Sequence, residues 1–313
     1  MRTISRLTGW AAAAACAVVV CSAGAAEVPD LKSAAALIID EETGEVLYGK
    51  NESAVVQIAS ITKIMTAMVT LDAGLALDES ITVTAEDAEA GTAKRRARLP
   101  VGATLTRAEL LQLALMASEN RAAAALGRAY PGGMDAFVNA MNAKAHELEM
   151  SGSRFVEPTG LSSENVSSAG DLAKLVRAAK GYPLIAEYST MPNADYTIRG
   201  KRVAFVNTNG LVRGGNWEIG LSKTGFINAA GRCLVMQAKV ATRSLIIVLL
   251  DSVGKYTRIG DANRIRQWLE PGFAPPVAAA KPAAKPKQPA VARAQRTPSN
   301  GRVRTELAPP KPQ

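Results

Sequence analysis

The sequence predicts an α+β fold in which strands from both chain ends build one antiparallel sheet, helices cover it, and the middle of the chain supplies an inserted helical lobe. Three observations carry this. Short strand-like apolar runs gather at 34–48 and 220–250. Segments with a 3.6-residue apolar period fill the interval between them. The stretch 27–273, about 247 residues, suffices for one large domain or two lobes around a single cleft.

Taken in order, 34–40 (AAALIID) and 45–48 (EVLY) flank Thr43-Gly44 and read as a hairpin. The run from Ser60 to Val69 (SITKIMTAMV) is apolar at helical spacing. Thr106-x-x-Glu109 is a capping box opening LLQLALM at 110–116. Met134, Phe137, Val138, Met141 and Leu148 share one helical face, and His146 lies opposite, in line with Asn139, Asn142 and Glu149 on a solvated side. Strands follow at 220–224, 234–240 and 244–250, and a closing helix near 257–270 turns Ile259, Ala262, Ile265 and Leu269 inward.

The chain ends are of a different character. Residues 1–26 combine Arg2 and Arg6, an apolar stretch from Trp10 to Cys21 and the small residues Ser22 to Ala26, the pattern of a secretory signal peptide. That stretch is shorter than the roughly 20 residues of a transmembrane span, so no transmembrane anchor is expected. Two of the three cysteines fall there, leaving Cys233 as a buried structural thiol without a disulfide partner. The formal charge of +9 invites a nucleic-acid reading. Arg2 and Arg6 contribute two of it, and eight basic residues against Glu306 in the Pro/Ala/Lys-rich tail 274–313 contribute seven, so 27–273 is neutral. The globular part is not basic, so the basic-surface case for nucleic acid collapses to the tail and no nucleic-acid partner is expected. The tail reads as an extended solvated arm, with weak attachment to anionic envelope polymer as the functional alternative. The cluster at 94–98 (KRRAR) reads as a solvated loop.

Chemistry concentrates at three places. Ser60 and Lys63 are three residues apart on one helical face. With a single histidine in the chain, lysine is the available base for a serine nucleophile, and one histidine with one mature cysteine makes a zinc site improbable. Spacing alone is weak: a chain this long contains about one Ser-x-x-Lys by chance, and Ser252 to Lys255 is a second, read as a turn. Ser60 differs because it heads an apolar helix, whose dipole favours developing negative charge. Ser118-Glu119-Asn120 is a polar triplet wedged between two helical segments, whereas Ser163-Glu164-Asn165 sits in a polar loop and reads as a decoy. Lys223-Thr224-Gly225 lies on a strand ahead of Phe226, where the glycine implies close approach of another group.

In this order the three elements resemble the penicillin-recognising serine enzymes, with their β-lactamase/transpeptidase-like fold. D40-x-x-TGEVLY, the run ASITKIMT at 59–66 and FVEPTGL at 155–161 are similar to the low-molecular-mass penicillin-binding proteins. SENRAA at 118–123 and LSKTGF at 221–226 are most similar to their D-alanyl-D-alanine endopeptidase branch. The resemblance implies that Ser60 attacks a D-alanyl carbonyl, Lys63 takes its proton, and Ser118 relays the proton to the leaving amine. Asn120 would orient Lys63 and the substrate amide. Lys223 and Thr224 of the Lys-Thr-Gly strand, with Gly225 and Phe226, would bind the substrate, and the N–H groups of Ser60 and Phe226 would form the oxyanion hole. Only about one free lysine in 2,500 is neutral at pH 7, so the site must depress Lys63 by desolvation and by the second cation, Lys223.

The implied substrate is a peptidoglycan cross-link, with β-lactams as covalent inhibitors and no cofactor required. The carboxypeptidase branch usually carries a further β-rich domain and an amphipathic anchor; neither follows Phe273, which favours endopeptidase. Carboxypeptidase, β-lactamase and inactive murein-binding scaffold are the alternatives. The surroundings of Glu157 do not match the class A β-lactamase loop.

Overall fold

The computed structural model describes residues 28–89 and 99–272. The signal peptide, the basic cluster at 94–98, Phe273 and the tail from 274 lie outside the described residues. A five-stranded antiparallel sheet is the frame, in the order β2-β1-β11-β10-β9. The chain start supplies β1 (Ser33–Asp40) and β2 (Val46–Lys50), and the late chain supplies β9 (Glu218–Ile227), β10 (Gly231–Val240) and β11 (Arg243–Ser252). The hairpin turn expected at Thr43-Gly44 is present: Gly44 N–H donates to Asp40 O at 2.9 Å, and the Asp40 carboxylate accepts from the Thr43 amide at 3.0 Å.

The late strands are longer than the apolar runs that announce them, because both faces of the sheet are covered and polar ends can still pair. Alternate residues part to the two sides. Ile246, Val248 and Leu250 of β11 join one core; Leu245, Ile247 and Leu249 join the other. The second core lies under α9 (Thr257–Leu269), which buries Ala262 and Ile265 and packs Ile259 and Leu269 partly against it. Asp261 of this helix is fully buried and accepts from the amides of Lys32 and Ser33 at 2.9 and 2.8 Å, tying α9 to the start of β1.

The first core faces the middle of the chain. A short β3 (Val56–Gln57) leads through one 3-10 turn, Ala59–Ile61, into α1 (Thr62–Asp72). Then come β4 (Ser80–Thr82), α2 (Ala85–Glu89), β5 (Thr104–Thr106), α3 (Arg107–Met116), α4 (Asn120–Arg128) and α5 (Gly133–Glu147). The capping box at Thr106 and Glu109 opens α3 as its sequence predicts. The chain returns through β6 (Val166–Ser167), α6 (Ala169–Ala179), α7 (Pro183–Thr190), the hairpin β7 (Asn193–Ile198) and β8 (Lys201–Val206), and α8 (Gly210–Gly214). On α5, Phe137 and Met141 are buried and His146 is exposed, as the periodicity requires. Asn142 departs from its assigned solvated row. Its carboxamide exchanges two hydrogen bonds with the backbone of Phe155, at 2.7 and 2.9 Å, because the segment after α5 folds back over that side.

Candidate active site

The nucleophile candidate stands where three chain-distant segments meet. Ser60 sits in the 3-10 turn ahead of α1, and Ala59 before it has a left-handed φ of 48°. A non-glycine residue holds that conformation only under constraint. Two glycines supply the constraint. A β-carbon on Gly225 of β9 would stand 2.8 Å from the Ile58 carbonyl oxygen, and one on Gly160 would overlap the Ala59 carbonyl. The group expected to approach Gly225 closely is therefore the turn that carries Ser60.

Lys63 is the second residue of α1 and is completely buried. Its Nζ is 3.1 Å from Ser60 Oγ and 2.7 Å from Asn120 Oδ1, and it also donates to the Thr159 carbonyl. Burial pushes its pKa down to about 8, while the carboxylates of Glu157 and Glu119 pull in the opposite direction. Desolvation depresses Lys63 as expected, and Lys223 is likewise held well below the usual lysine range, by burial first and then by the Lys63 and Arg258 charges.

Ser118 and Asn120 come from the junction of α3 and α4. Ser118 adopts a left-handed φ of 57°, and the Glu119 amide donates back to Leu113 O at 3.1 Å, closing a tight corner. The corner puts Asn120 at the first position of α4, where its oxygen reaches Lys63 from 57 residues away. Lys63 thus touches Ser60 and Asn120 directly, and Ser118 stands at the turn leading to Asn120.

The loop at 157–162 is the part sequence reasoning undervalued. Glu157 accepts from the amides of Thr159 and Gly160 at 2.6 Å each and from Ser162 at 3.3 Å. The fold this imposes aims the Thr159 carbonyl at Lys63 and lays Gly160 on Ala59. Asn165, dismissed as a decoy, is fully buried and holds the loop together. It accepts from the Val156 amide at 2.8 Å and donates to Glu157 at 2.9 Å and to Thr62 Oγ1 at 3.1 Å. Its polar neighbours concealed it, since loops are polar for ordinary reasons. The other decoy behaves as read: Ser252 ends β11 and Lys255 is exposed in the turn beyond.

On the far wall, Lys223 is buried and donates to Thr224 O at 3.0 Å. Thr224 Oγ1 meets Thr208 Oγ1 at 2.6 Å, and the Thr208 amide donates to Met116 O at 3.0 Å, joining the strand to the end of α3. Arg258, which sequence reasoning missed, donates from Nη1 to Gly225 O at 3.1 Å, and its buried Nε has no partner among the described residues. Burial, and then the neighbouring Arg232 charge, hold it below the usual arginine range. No local pattern points to it, because its contact lies 33 residues upstream. Cys233 is buried, its thiol pushed up to about 11 by desolvation, in keeping with a structural role. Among the described residues no cluster of histidine, cysteine and carboxylates could hold a metal, and no helix is long and apolar enough to cross a membrane.

A buried lysine on a serine, two further polar elements and a pair of desolvated cations are the parts of an acyl-transfer site. The relatives agree. Residues 22–254 match the family model described as D-alanyl-D-alanine carboxypeptidase, peptidase S11. The chain is 49% identical over 248 residues to a D-alanyl-D-alanine endopeptidase of Pseudomonas aeruginosa, covering 78% of this chain and 79% of that one. It is 48% identical over 267 residues to the D-alanyl-D-alanine endopeptidase of Escherichia coli, covering 83% and 84%. Among solved structures, the Streptomyces K15 DD-transpeptidase superposes with a TM-score of 0.71 at 27% identity, over 77% of this chain and 97% of that one. With the family model spanning most of its length and relatives at this identity, the chain belongs to the D-alanyl-D-alanine carboxypeptidase family of serine peptidases.

Proposed function

We propose that this enzyme is an exported endopeptidase that hydrolyses D-alanyl cross-links of peptidoglycan through an acyl-enzyme on Ser60. The observation that carries the chemistry is the contact of the fully buried Lys63 with the half-buried Ser60 and Asn120. With the lysine pKa at about 8, roughly one amine in ten is neutral at pH 7, against about one in 2,500 for a free lysine. That neutral amine takes the Ser60 proton as Oγ attacks the D-alanyl carbonyl. The N–H groups of Ser60 and Phe226 hold the oxyanion, and Ser118 passes the proton to the leaving amine. Asn120 orients Lys63 and the substrate amide. Lys223, Thr224 and Arg258 bind the carboxylate on the leaving side. Water, deprotonated by the same lysine, then attacks the ester, releasing the acyl peptide and returning the proton to Ser60.

The cut at a cross-link follows the two relatives near half identity, both endopeptidases. Carboxypeptidase action is the second reading, favoured by the family description. Both Glu157 oxygens are engaged by backbone amides, which disfavours a deacylating glutamate of β-lactamase type. Two assays decide. Wild type should take a covalent fluorescent penicillin and Ser60→Ala none; an unlabelled wild type favours a binding scaffold. Purified cross-linked muropeptide dimers should be cut; dimers left intact while pentapeptide loses its terminal alanine would establish the carboxypeptidase. Export rests on the leader-like residues 1–26, and N-terminal sequencing of the protein from a periplasmic extract tests it.

A further inference from the structure

One buried side chain stands between Ser60 and Lys63 in the chain and has no part in the chemistry proposed above. Thr62 opens α1 and is fully buried. Its hydroxyl donates to the Ala59 carbonyl at 2.8 Å, and its backbone N–H bonds the same oxygen. Both lone pairs of that carbonyl are thus engaged by a single residue. The other neighbour of the hydroxyl fixes its direction. Asn165 Oδ1 accepts from the Val156 amide, which leaves Nδ2 to donate to Thr62 Oγ1 at 3.1 Å. The Thr62 proton then goes to Ala59 O, which can only accept.

A threonine that bonds a carbonyl three or four residues back is ordinary on a helix, and Thr70 does so to Thr66 O at 2.8 Å. Thr62 differs in the peptide it bonds. The Ala59 carbonyl and the Ser60 N–H belong to one planar amide, so whatever holds and polarises the carbonyl acts on the N–H at its other end. Hydrogen bonds in series strengthen one another, by about 10–30% each. Gly160 closes the face of the same plane: a β-carbon there would overlap the carbonyl and stand 2.8 Å from the Ser60 nitrogen. On the acyl-transfer reading, on which this inference rests, Ser60 Oγ bonds to the substrate carbonyl carbon and the carbonyl electron pair moves to oxygen, where the Ser60 N–H donates. We infer that Thr62 is a positioning residue for the oxyanion hole, its hydroxyl holding and polarising the Ala59–Ser60 amide so that the Ser60 N–H donates more strongly as negative charge develops. The gain belongs to the transition state and leaves initial binding unchanged.

Wild type is compared with Thr62→Val, Thr62→Ser and Thr66→Val in two measurements. Stopped-flow acylation by a chromogenic cephalosporin separates initial binding from the acylation step. Infrared spectroscopy of the acyl-enzyme formed with a slowly released penicillin reads the ester carbonyl in the oxyanion hole. Thr62→Val keeps the shape and loses the donor. Its acylation rate should fall about tenfold, less than the roughly 10²–10³-fold loss on deleting an oxyanion donor outright, with initial binding within about twofold of wild type. Its ester carbonyl band should move to higher wavenumber, because a weaker hydrogen bond leaves the C=O stiffer. Thr62→Ser should restore both. Thr66→Val is the structural control: it removes a buried hydroxyl on the same helix that donates to Pro158 O at 2.7 Å, and its band should stay at the wild-type position. Where Thr62→Val does not fold, Thr62→Cys takes its place; a thiol is a weak donor, so rate and band should fall short of those of Thr62→Ser. Wild-type rate and band in Thr62→Val, or a Thr62→Cys equal to Thr62→Ser, overturn the inference. A rate loss with the band unmoved, or a band that Thr66→Val moves as far, also overturns it, because the hydroxyl would then act only through the fold. A wild type that forms no acyl-enzyme overturns the acyl-transfer reading itself.

Discussion

Gly160 lies directly on the Ala59 carbonyl, so close that no β-carbon fits between them, and at φ +78° its own backbone also excludes ordinary side chains. A loop residue a hundred positions downstream thereby fixes the backbone immediately before Ser60. Gly160→Ala should unsettle the Ser60 turn through both strain and overlap, a loss of about 3 kcal/mol or more. A thermal melt should fall by roughly 6 °C or more, and the rate of penicillin acylation by more than tenfold. A variant with wild-type melt and acylation would show that this contact does not hold the turn.

The rate of acylation should follow deprotonation of Lys63. With its pKa at about 8, the neutral fraction grows about fiftyfold between pH 6 and pH 8 and levels above about pH 9. Stopped-flow acylation by a chromogenic cephalosporin measures this limb directly. A rate independent of pH from 6 to 8 would exclude Lys63 as the base.

Glu157 acts on the same limb with a definite sign. Its negative charge favours the ammonium form of Lys63, so Glu157→Gln, which keeps an acceptor for the loop amides, removes that support and lowers the lysine pKa. The acid limb should move to lower pH, and the rate at pH 6 should rise relative to the rate at pH 8. Movement toward higher pH would contradict the assigned electrostatics.

Asn165→Ala should destabilise the loop that the side chain organises. Three of its partners, the Val156 amide, Thr62 Oγ1 and a Glu157 oxygen, lose a bond within a buried pocket, a loss on the order of 2–4 kcal/mol. Chemical denaturation should show it as a lower midpoint at unchanged slope. An unshifted midpoint would return Asn165 to the decoy it resembles in the sequence.

Asp261 provides the contrast, being far from the nucleophile in the fold's other core. Its carboxylate accepts from Ser33 N and Ser33 Oγ at 2.8 and 2.6 Å. Asp261→Ala should cost about 3–5 kcal/mol, as for other buried charges stripped of their network. At a temperature where the variant remains folded, penicillin labelling should match wild type. Labelling lost together with stability in proportion to the unfolded fraction fits this role; labelling lost in the folded protein does not.

Local pattern made much of this protein legible. The strands that build the sheet are apolar on successive residues because both faces are covered, and that continuity is visible in 244–250. Ser60 and Lys63 meet at the three-residue spacing visible in the sequence, across the 3-10 turn that leads into α1. Gly225 advertised a close approach by lacking a side chain, yet nothing nearby in sequence said that Ile58 makes it. Asn165 and Arg258 were illegible because a polar loop or a helix start accounts for such residues without any function, and because the contacts that tie them to the site, Asn165 to Thr62 and Arg258 to Gly225, span 103 and 33 residues.

By itself, then, the sequence determined which residue types could attack and accept a proton, since those depend on neighbours three residues apart. Only the tertiary structure decided where Lys63 titrates. Its basicity is set by desolvation, which sums over α1, the α3–α4 corner, the Glu157 loop and β9, and no single stretch of chain contains that sum.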